Sequence, residues 1–400
     1  MDVVTRLYVV EIVKGHVYEM RLRLLCCLLM LTLFPSTMNA EQADISGVNH
    51  SIIEEFKYIE GTDNVKLDGF LLPNESNIIM YGRAFVQTRN ALSDEPIVGV
   101  GWLHHQNVSG NQVNSILFDQ NPNTSILCIS PLKEGYIIGV EKSSNAPRGY
   151  YLFCDSEYRF SDWYPLSGSV RTMIPVQDGM LSLGVELLNG ELFPQCALID
   201  SNGVAWIYTG KDEDRGSRNY TTFEGATAYN DGYALICKKQ SSFSIRLLDR
   251  AGRPYLDKPI SIKGNPINIA GFSTGLLLSG SFPDKGTNVS FIQYVDSDGN
   301  VQWHNQDIGI RLLVTVINRE SSIFAVGYGL QDDNLYLVVL DKEGNILSSD
   351  PLTAISPIVS QGMFENICAI IDPSNNLYIG AIHRKPNRTP RVALFRIVKR

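Results

Sequence analysis

The chain has 400 residues, with 34 basic and 42 acidic side chains and a net charge of −8. Neutralising a phosphate backbone needs clustered Lys and Arg, so no nucleic-acid partner is expected. At this length the chain can form two ordinary domains or one large repeat architecture.

Residues 1–40 read as a secretory signal region. Met20 opens an arrangement in which Arg21 and Arg23 precede an apolar run from Leu24 to Phe34, followed by Pro35 and small residues ending at Ala40. The run is shorter than the roughly 20 residues of a membrane-spanning helix, so no transmembrane segment is expected after its removal. Translation is expected from Met20 and cleavage near Ala40, which implies a secreted or extracytoplasmic protein. Cys26 and Cys27 lack the small preceding residue of a lipoprotein signal. Without residues 1–40 the chain loses four basic side chains (Arg6, Lys14, Arg21, Arg23) and three acidic ones (Asp2, Glu11, Glu19), leaving 30 against 39. Residues 41–50 read as a short linker and residues 51–400 as one domain.

From residue 51 onward a unit repeats. Its centre is a short apolar run interrupted by a small residue: Gly82, Gly139, Gly184, Cys237, Gly280, Gly327 and Gly380 mark seven copies, 43 to 57 residues apart. A small residue inside a strand marks close backbone approach. A second mark follows in phase. Asn107, Asp155, Asp200, Asp249, Asp296 and Asp341 each close an apolar run, and Gly stands three positions on in five of the six, as hairpin turns with positive φ require. At Asp155 that position is Tyr158, which predicts a differently built turn. Trp206 and Trp303 end two units, and Tyr255 is expected in the same place in a third. The stretch Gly275 to Trp303 shows a unit complete, with a polar loop from Phe282 to Asn288 between two of its strands.

The seventh unit stops after the strand Val392 to Val398, whereas Ser51 to Ile59 precedes the first inner strand and has no unit of its own. The N-terminal strand is therefore expected to complete the last blade and remove its open edge. The fold predicted is all-β: a seven-bladed β-propeller of four-stranded antiparallel blades. The five Cys of this domain, Cys128, Cys154, Cys196, Cys237 and Cys368, lie in apolar runs without CxxC or metal-ligand spacing, and buried free thiols are expected.

The phrase apolar-Asp-x-x-Gly-x-x-Trp, as in Leu198 to Trp206, resembles the repeats of bacterial secreted β-propellers of the PQQ-like and WD40-like kind, over residues 51–400. The resemblance implies architecture rather than activity, since the superfold hosts binding modules, hydrolases, lyases and dehydrogenases. Quinoprotein blades carry an Asp to Gly spacing of four with Thr before Gly; here Asn202, Ala251, Asp298 and Glu343 stand before Gly and the spacing is three. The sialidase Asp box needs a spacing of two. Asp296, Asp298, Asn300 and Asp307 have part of a calcium-loop spacing, but Gly is misplaced and the final Glu is missing, so a plain turn is expected. His104 and His105 are adjacent and point to opposite faces of a strand. No cofactor or metal is expected.

In such a ring, the loops from second to third strand and from outer to next inner strand share one rim. The candidate binding residues on those loops are Arg89, Glu95, Arg148, Lys211, Asp284, Lys285, Arg384 and Arg388. The run Lys211 to Arg215 (KDEDR) reads as a solvated insertion, and no pair of carboxylates stands out as acid and base. Seven Asn-x-Ser/Thr sequons, at Asn49, Asn74, Asn107, Asn123, Asn219, Asn288 and Asn387, are not treated as sites. The function expected is a monomeric binding or scaffold module for a polar ligand, glycan, peptide or protein, with a glycoside hydrolase or lyase as the alternative.

Overall fold

The computed structural model describes residues 51–58, 65–74, 76–87, 97–107, 112–118, 123–143, 148–177, 179–211, 214–216, 220–262, 264–284, 287–306, 308–317, 322–332, 334–352, 363–384 and 390–399. Residues 1–50, the expected signal region and linker, lie outside them. Strand β1 (Ser51–Tyr58) comes first. Blade 1 is then β2 (Val65–Asn74), β3 (Asn77–Gln87), β4 (Ile97–Asn107) and β5 (Gln112–Leu117). Blade 2 is β6 (Thr124–Leu132), β7 (Gly135–Lys142), β8 (Arg148–Cys154) and β9 (Tyr164–Pro165). Blade 3 is β10 (Ser169–Val176), β11 (Gly179–Leu188), β12 (Glu191–Asp200) and β13 (Gly203–Thr209). Blade 4 is β14 (Thr222–Tyr229), β15 (Gly232–Lys239), β16 (Ser242–Asp249) and β17 (Pro254–Ile260). Blade 5 is β18 (Asn265–Phe272), β19 (Gly275–Asp284), β20 (Thr287–Val295) and β21 (Val301–Asn305). Blade 6 is β22 (Ile310–Ile317), β23 (Ile323–Gly329), β24 (Leu335–Leu340) and β25 (Ile346–Pro351). Blade 7 holds β26 (Met363–Ile371), β27 (Leu377–Arg384) and β28 (Arg391–Lys399).

Every sheet is four-stranded and antiparallel, and six run in chain order. The seventh runs β1-β28-β27-β26, with Ser51 opposite Lys399 and Tyr58 opposite Ala393. The first strand of each blade packs against the first strands of both neighbours, which puts these seven strands innermost around one axis. The protein is a seven-bladed β-propeller.

Apolar runs form the middle strands because both faces of each sheet are covered. Side chains alternate across a strand, so Ile137 enters the seam with blade 3 while Ile138 enters the seam with blade 1. Likewise Tyr378 packs toward blade 1 and Ile379 toward blade 6. Seven apolar cores result, each shared by two adjacent blades. The seam between blades 7 and 1 joins Val65, Leu67 and Trp102 to Tyr378, Val392 and Leu394, and it closes the ring.

Each inner strand carries a bulge near its start. Pairing slips between Leu67 and Gly69, Ile126 and Cys128, Val170 and Thr172, Phe223 and Gly225, Pro266 and Asn268, Leu312 and Val314, and Glu365 and Cys368. The slip explains most of the small residues that mark the repeat. A Cβ on Gly82, Gly184, Gly280 or Gly327 would run into a carbonyl oxygen of the bulged strand: Lys66, Ser169, Asn265 or Arg311 respectively. Gly139 and Gly380 have another cause. There a Cβ would meet side chains of the next blade, Met173 in one case and Leu67 and Phe70 in the other.

The turn between third and outer strand repeats in detail. In blade 5, Asp296 N–H donates to Asn300 O at 3.0 Å and Gly299 N–H to Asp296 O at 3.0 Å, while Asp296 Oδ1 accepts from the N–H groups of Asp298 and Asn300 at 2.9 Å. Asp296 Oδ2 accepts from the amides of Asn300 and Gln302, so both oxygens serve the turn. Asp249 and Asp341 repeat the pattern. Contrary to expectation, so does Asp155: Tyr158 N–H donates to its carbonyl at 3.1 Å, and Tyr158 itself takes the left-handed conformation, φ 61°. A non-glycine residue there costs on the order of 1 kcal/mol. Tyr158 offsets that cost by donating its hydroxyl to His105 Nδ1 and stacking on Tyr136. Asp372 builds the same turn between the first and second strands of blade 7, a copy the Gly signal does not mark because Asn375 (φ 66°) stands in its place.

Trp206 Nε1 donates to Arg250 O at 2.9 Å and Trp303 Nε1 to Lys342 O at 3.2 Å, so each indole caps the turn of the following blade. In blade 4 the expected Tyr255 does not take this position. Pairing skips Tyr255 as it skips Ala205 and Gln302, and Leu256 stands in the tryptophan register while Tyr255 is exposed.

Two stability measurements test these causes. Gly280→Val places a side chain inside a backbone carbonyl and is expected to cost more than about 3 kcal/mol. Gly190→Ala meets no neighbour but sits at φ 82°, and should cost only about 1 kcal/mol; equal losses in denaturant melts would refute the bulge explanation. Deleting residues 51–58 opens the edge of β28. A Tm lowered by several degrees with concentration-dependent aggregation is expected, and an unchanged melt would mean that β1 contributes nothing to closure.

Candidate functional site

Antiparallel order puts the second-to-third and outer-to-inner connections on one rim and the Asp turns on the other. Of the eight candidate residues, Arg148 begins β8, Lys211 follows β13, Asp284 ends β19 and Arg384 ends β27, all at the first rim. Arg89, Glu95, Lys285 and Arg388 lie outside the described residues. The four described ones are spread over blades 2, 3, 5 and 7 rather than gathered. The expected loop from Phe282 to Asn288 is mostly strand, since β19 runs to Asp284 and β20 starts at Thr287.

The bulges lie near the ends of the inner strands that open on this same rim. Their positions carry, in ring order, Asp68, Leu127, Arg171, Glu224, Ile267, Leu313 and the pair Asn366-Ile367. A bulge re-aims a side chain away from the pleat, as happens beside many active sites. Asp68 pairs with Lys66 at 2.6 Å and accepts from Ser125 Oγ of blade 2 at 2.9 Å. Arg171 of blade 3 holds Glu224 of blade 4 through two parallel bonds of 2.8 and 2.7 Å, and Thr222 Oγ1 adds a third at 2.5 Å. Burial pushes the Glu224 carboxyl up, but these bonds outweigh it and hold the group below the usual carboxylate range. On blade 7, Glu365 accepts from Arg384 Nε at 2.8 Å. Sequence spacing could not find Arg171 and Glu224, because a bulge is a relation between two strands.

Between blades 5 and 6 the rim opens into a cleft of about 550 Å³. Phe282, Val289, Ile308 and Ile310 give it apolar walls, while Asp284 and Gln306 supply polar groups.

The Lys211 to Arg215 segment is not simply solvated. Asp214 is 4% exposed and Arg246, on β16, 2%. Arg246 Nη1 donates to Asp214 Oδ2 at 2.6 Å and to Tyr208 Oη at 2.9 Å, and Arg246 Nε donates to Asp257 Oδ2 at 2.8 Å. Thr221 Oγ1 and Lys211 N–H complete the shell of Asp214, each at 2.9 Å. Burial raises this carboxyl, yet its bonds to Arg246 and Thr221 leave it below the usual range. The network pins Lys211, Asp214 and Thr221 to the sheet. A raised carboxyl occurs elsewhere: burial pushes Asp350 up, and it lies on β25, the outer strand of blade 6, away from the axis.

On the opposite rim the two histidines face apart. His104 is buried beside Trp102 and lowered to about 4 by burial; His105 faces blade 2 and Tyr158, with its Nε2 3.1 Å from Asn77 Oδ1. Cys128, Cys154, Cys196 and Cys237 are buried free thiols, and Cys368 is half-buried. Burial pushes the Cys154, Cys237 and Cys368 thiols up to about 12, far from reactive.

No protein-family model and no curated protein matches this chain. Among solved structures it is similar to the β-propeller domain of the Trilobed protease from Pyrococcus furiosus, with TM-score 0.54 and 9% identity over 85% of this chain and 96% of that one. It is also similar to the Dos1 propeller (TM-score 0.54, 9% identity, 86% and 94% covered) and to the polysaccharide lyase Uly1 (TM-score 0.51, 9% identity, 92% and 95% covered). At this identity the likeness shows the fold alone.

The Arg246 network supplies a test by acid. Because the folded pKa of Asp214 is depressed, its contribution to stability is present above the unfolded value near 3.9 and is lost as pH falls below it. Asp214→Asn leaves Arg246 with a broken shell and should cost about 3–5 kcal/mol at neutral pH. It should also flatten the loss of stability between pH about 4 and 2, measured by denaturant melts across that range. An unaltered acid limb would rule out Asp214 as its source.

Proposed function

We propose that this protein is a secreted or extracytoplasmic binding module whose rim, at the bulged ends of the inner strands, holds a polar ligand, glycan or peptide. One observation carries the reading: the inner strands bear three carboxylates among the described residues, Asp68, Glu224 and Glu365, and each is engaged by a cation. Acid–base cleavage of a glycoside needs one carboxyl kept protonated beside another that is ionised. Glu224, held below the usual carboxylate range by its bonds to Arg171 and Thr222, does not supply that acid, and every carboxylate on the described inner strands has a cation partner. Binding, by contrast, suits paired charges. Arg171 is half exposed and spends two of its five N–H donors on Glu224, which leaves three for ligand oxygens.

Glycan and peptide arrays on the chain from residue 41 onward, run beside a hydrolysis screen, test this reading. Retention of a polar ligand without turnover is expected, with Arg171→Gln weakening it on the order of tenfold. Product formation that Glu224→Gln or Asp68→Asn abolishes would establish the enzyme instead.

A further inference from the structure

The cleft between blades 5 and 6 has a chemical character unlike the bulged ends of the inner strands that carry Asp68, Arg171 and Glu224. Its volume of about 550 Å³ falls within the ~300–1,000 Å³ of small-ligand sites. The apolar surface open to a ligand comes from the half-buried Phe282 and Val289, because Ile308 and Ile310 are each 1% exposed and packed into the seam. Between them Gly309 has φ 71° and no atom within 4 Å of where a Cβ would stand, so its peptide borders open space. At the lip Leu330 leaves 49% of its surface in water.

Charge supplies the second argument. The described residues of the three connections that border the cleft carry two acidic side chains, Asp284 and Asp332, and no basic one. The Asp332 carboxylate is held below the usual range by hydrogen bonds from Asn334 and Tyr336. Asp284 stands at the end of β19 and lines the cleft itself. An acidic lip over an apolar wall complements a cation at the end of an apolar stem. Lysine has that form, with four methylenes that can lie on hydrocarbon and an ammonium that keeps polar company. The exposed Gln306 amide offers one acceptor and two donors, which match a passing peptide backbone.

We propose that this cleft seats a lysine side chain of an extended peptide, its stem against Phe282, Val289 and Leu330 and its ammonium at Asp284. The proposal rests on the reading of this rim as the binding face and names one ligand class for it.

Calorimetric titration of acetyl-Ala-Val-Lys-Val-Ala-amide, and of the same peptide with Glu in place of Lys, tests it on the chain from residue 41 onward. The lysine peptide should bind, weakening as salt is raised from about 50 to 500 mM, and the glutamate peptide should not. Asp284→Asn should weaken the lysine peptide on the order of tenfold, and Leu330→Gln should weaken it to a lesser degree; both change exposed side chains, and unaltered melting confirms that the fold is kept. An affinity unchanged by Asp284→Asn overturns the proposal, as does equal binding of the two peptides or no binding of either. Loss of the lysine peptide on Glu224→Gln, with Asp284→Asn harmless, puts the peptide at the inner-strand ends beside Arg171; that sinks the cleft and leaves the binding-face reading standing. A ligand from the arrays with neither peptide bound does the same.

Discussion

Both faces of every sheet in this protein are apolar, and that constraint governs the rest. A sheet with two oily faces cannot end against water, so each blade needs a neighbour on either side and the row of blades has to close on itself. The seam in which Trp102 and Val65 meet Tyr378 and Leu394 is therefore as apolar as the other six, although it joins residues some 300 positions apart in the chain. Closure brings seven strands to a common axis at a spacing narrower than their outer partners have. Each inner strand carries a bulge near its start, at that crowded edge.

The period of the fold was legible because crowding leaves a mark in sequence. A bulged strand pushes a carbonyl into the space of the opposite Cβ, and Gly82, Gly184, Gly280 and Gly327 answer it. Gly139 and Gly380 kept the same rhythm for a different reason, contact with the next blade, and nothing in the sequence separates the two causes. The Asp turn was legible as well, because one carboxylate oxygen satisfies two backbone N–H groups at a fixed spacing. Tyr158 broke the expected rule without breaking the turn: an aromatic residue took the left-handed position and recovered part of the cost through His105 and Tyr136. Tyr255 misled in the opposite way, having the right residue class one register position too early for the tryptophan site.

Much less of the site could be read in advance. Composition located charged loops and topology placed them on one rim, yet neither says which charges meet. Lys211 to Arg215 looks like any solvated acidic run, and its fourth residue, Asp214, is nonetheless the anchor of a buried arginine thirty-two positions away. Arg171 and Glu224 drew no notice because they lie in strands, where a period of two assigns a side chain to one face or the other; the bulge at each breaks that assignment and lets them meet. Asp284 was found from its loop, but its setting beside apolar walls depends on Ile308 and Ile310 from the following blade.

Two of the arginine–carboxylate groups near this rim, Arg246–Asp214 and Arg171–Glu224, use one chemistry for opposite ends, and exposure decides between them. Arg246 and Asp214 keep 3% and 5% of their side-chain surface in water. Desolvation there is already complete, every oxygen of Asp214 has its donor, and a ligand could enter only by dismantling the shell. Arg171 keeps 54% in water while Glu224 keeps 14%. That pair is anchored at its acidic end and open at its basic end, so a ligand oxygen can join it without breaking a bond. Fixing one loop by a closed network and leaving the neighbouring arginine open is what separates scaffold from surface on this face of the ring.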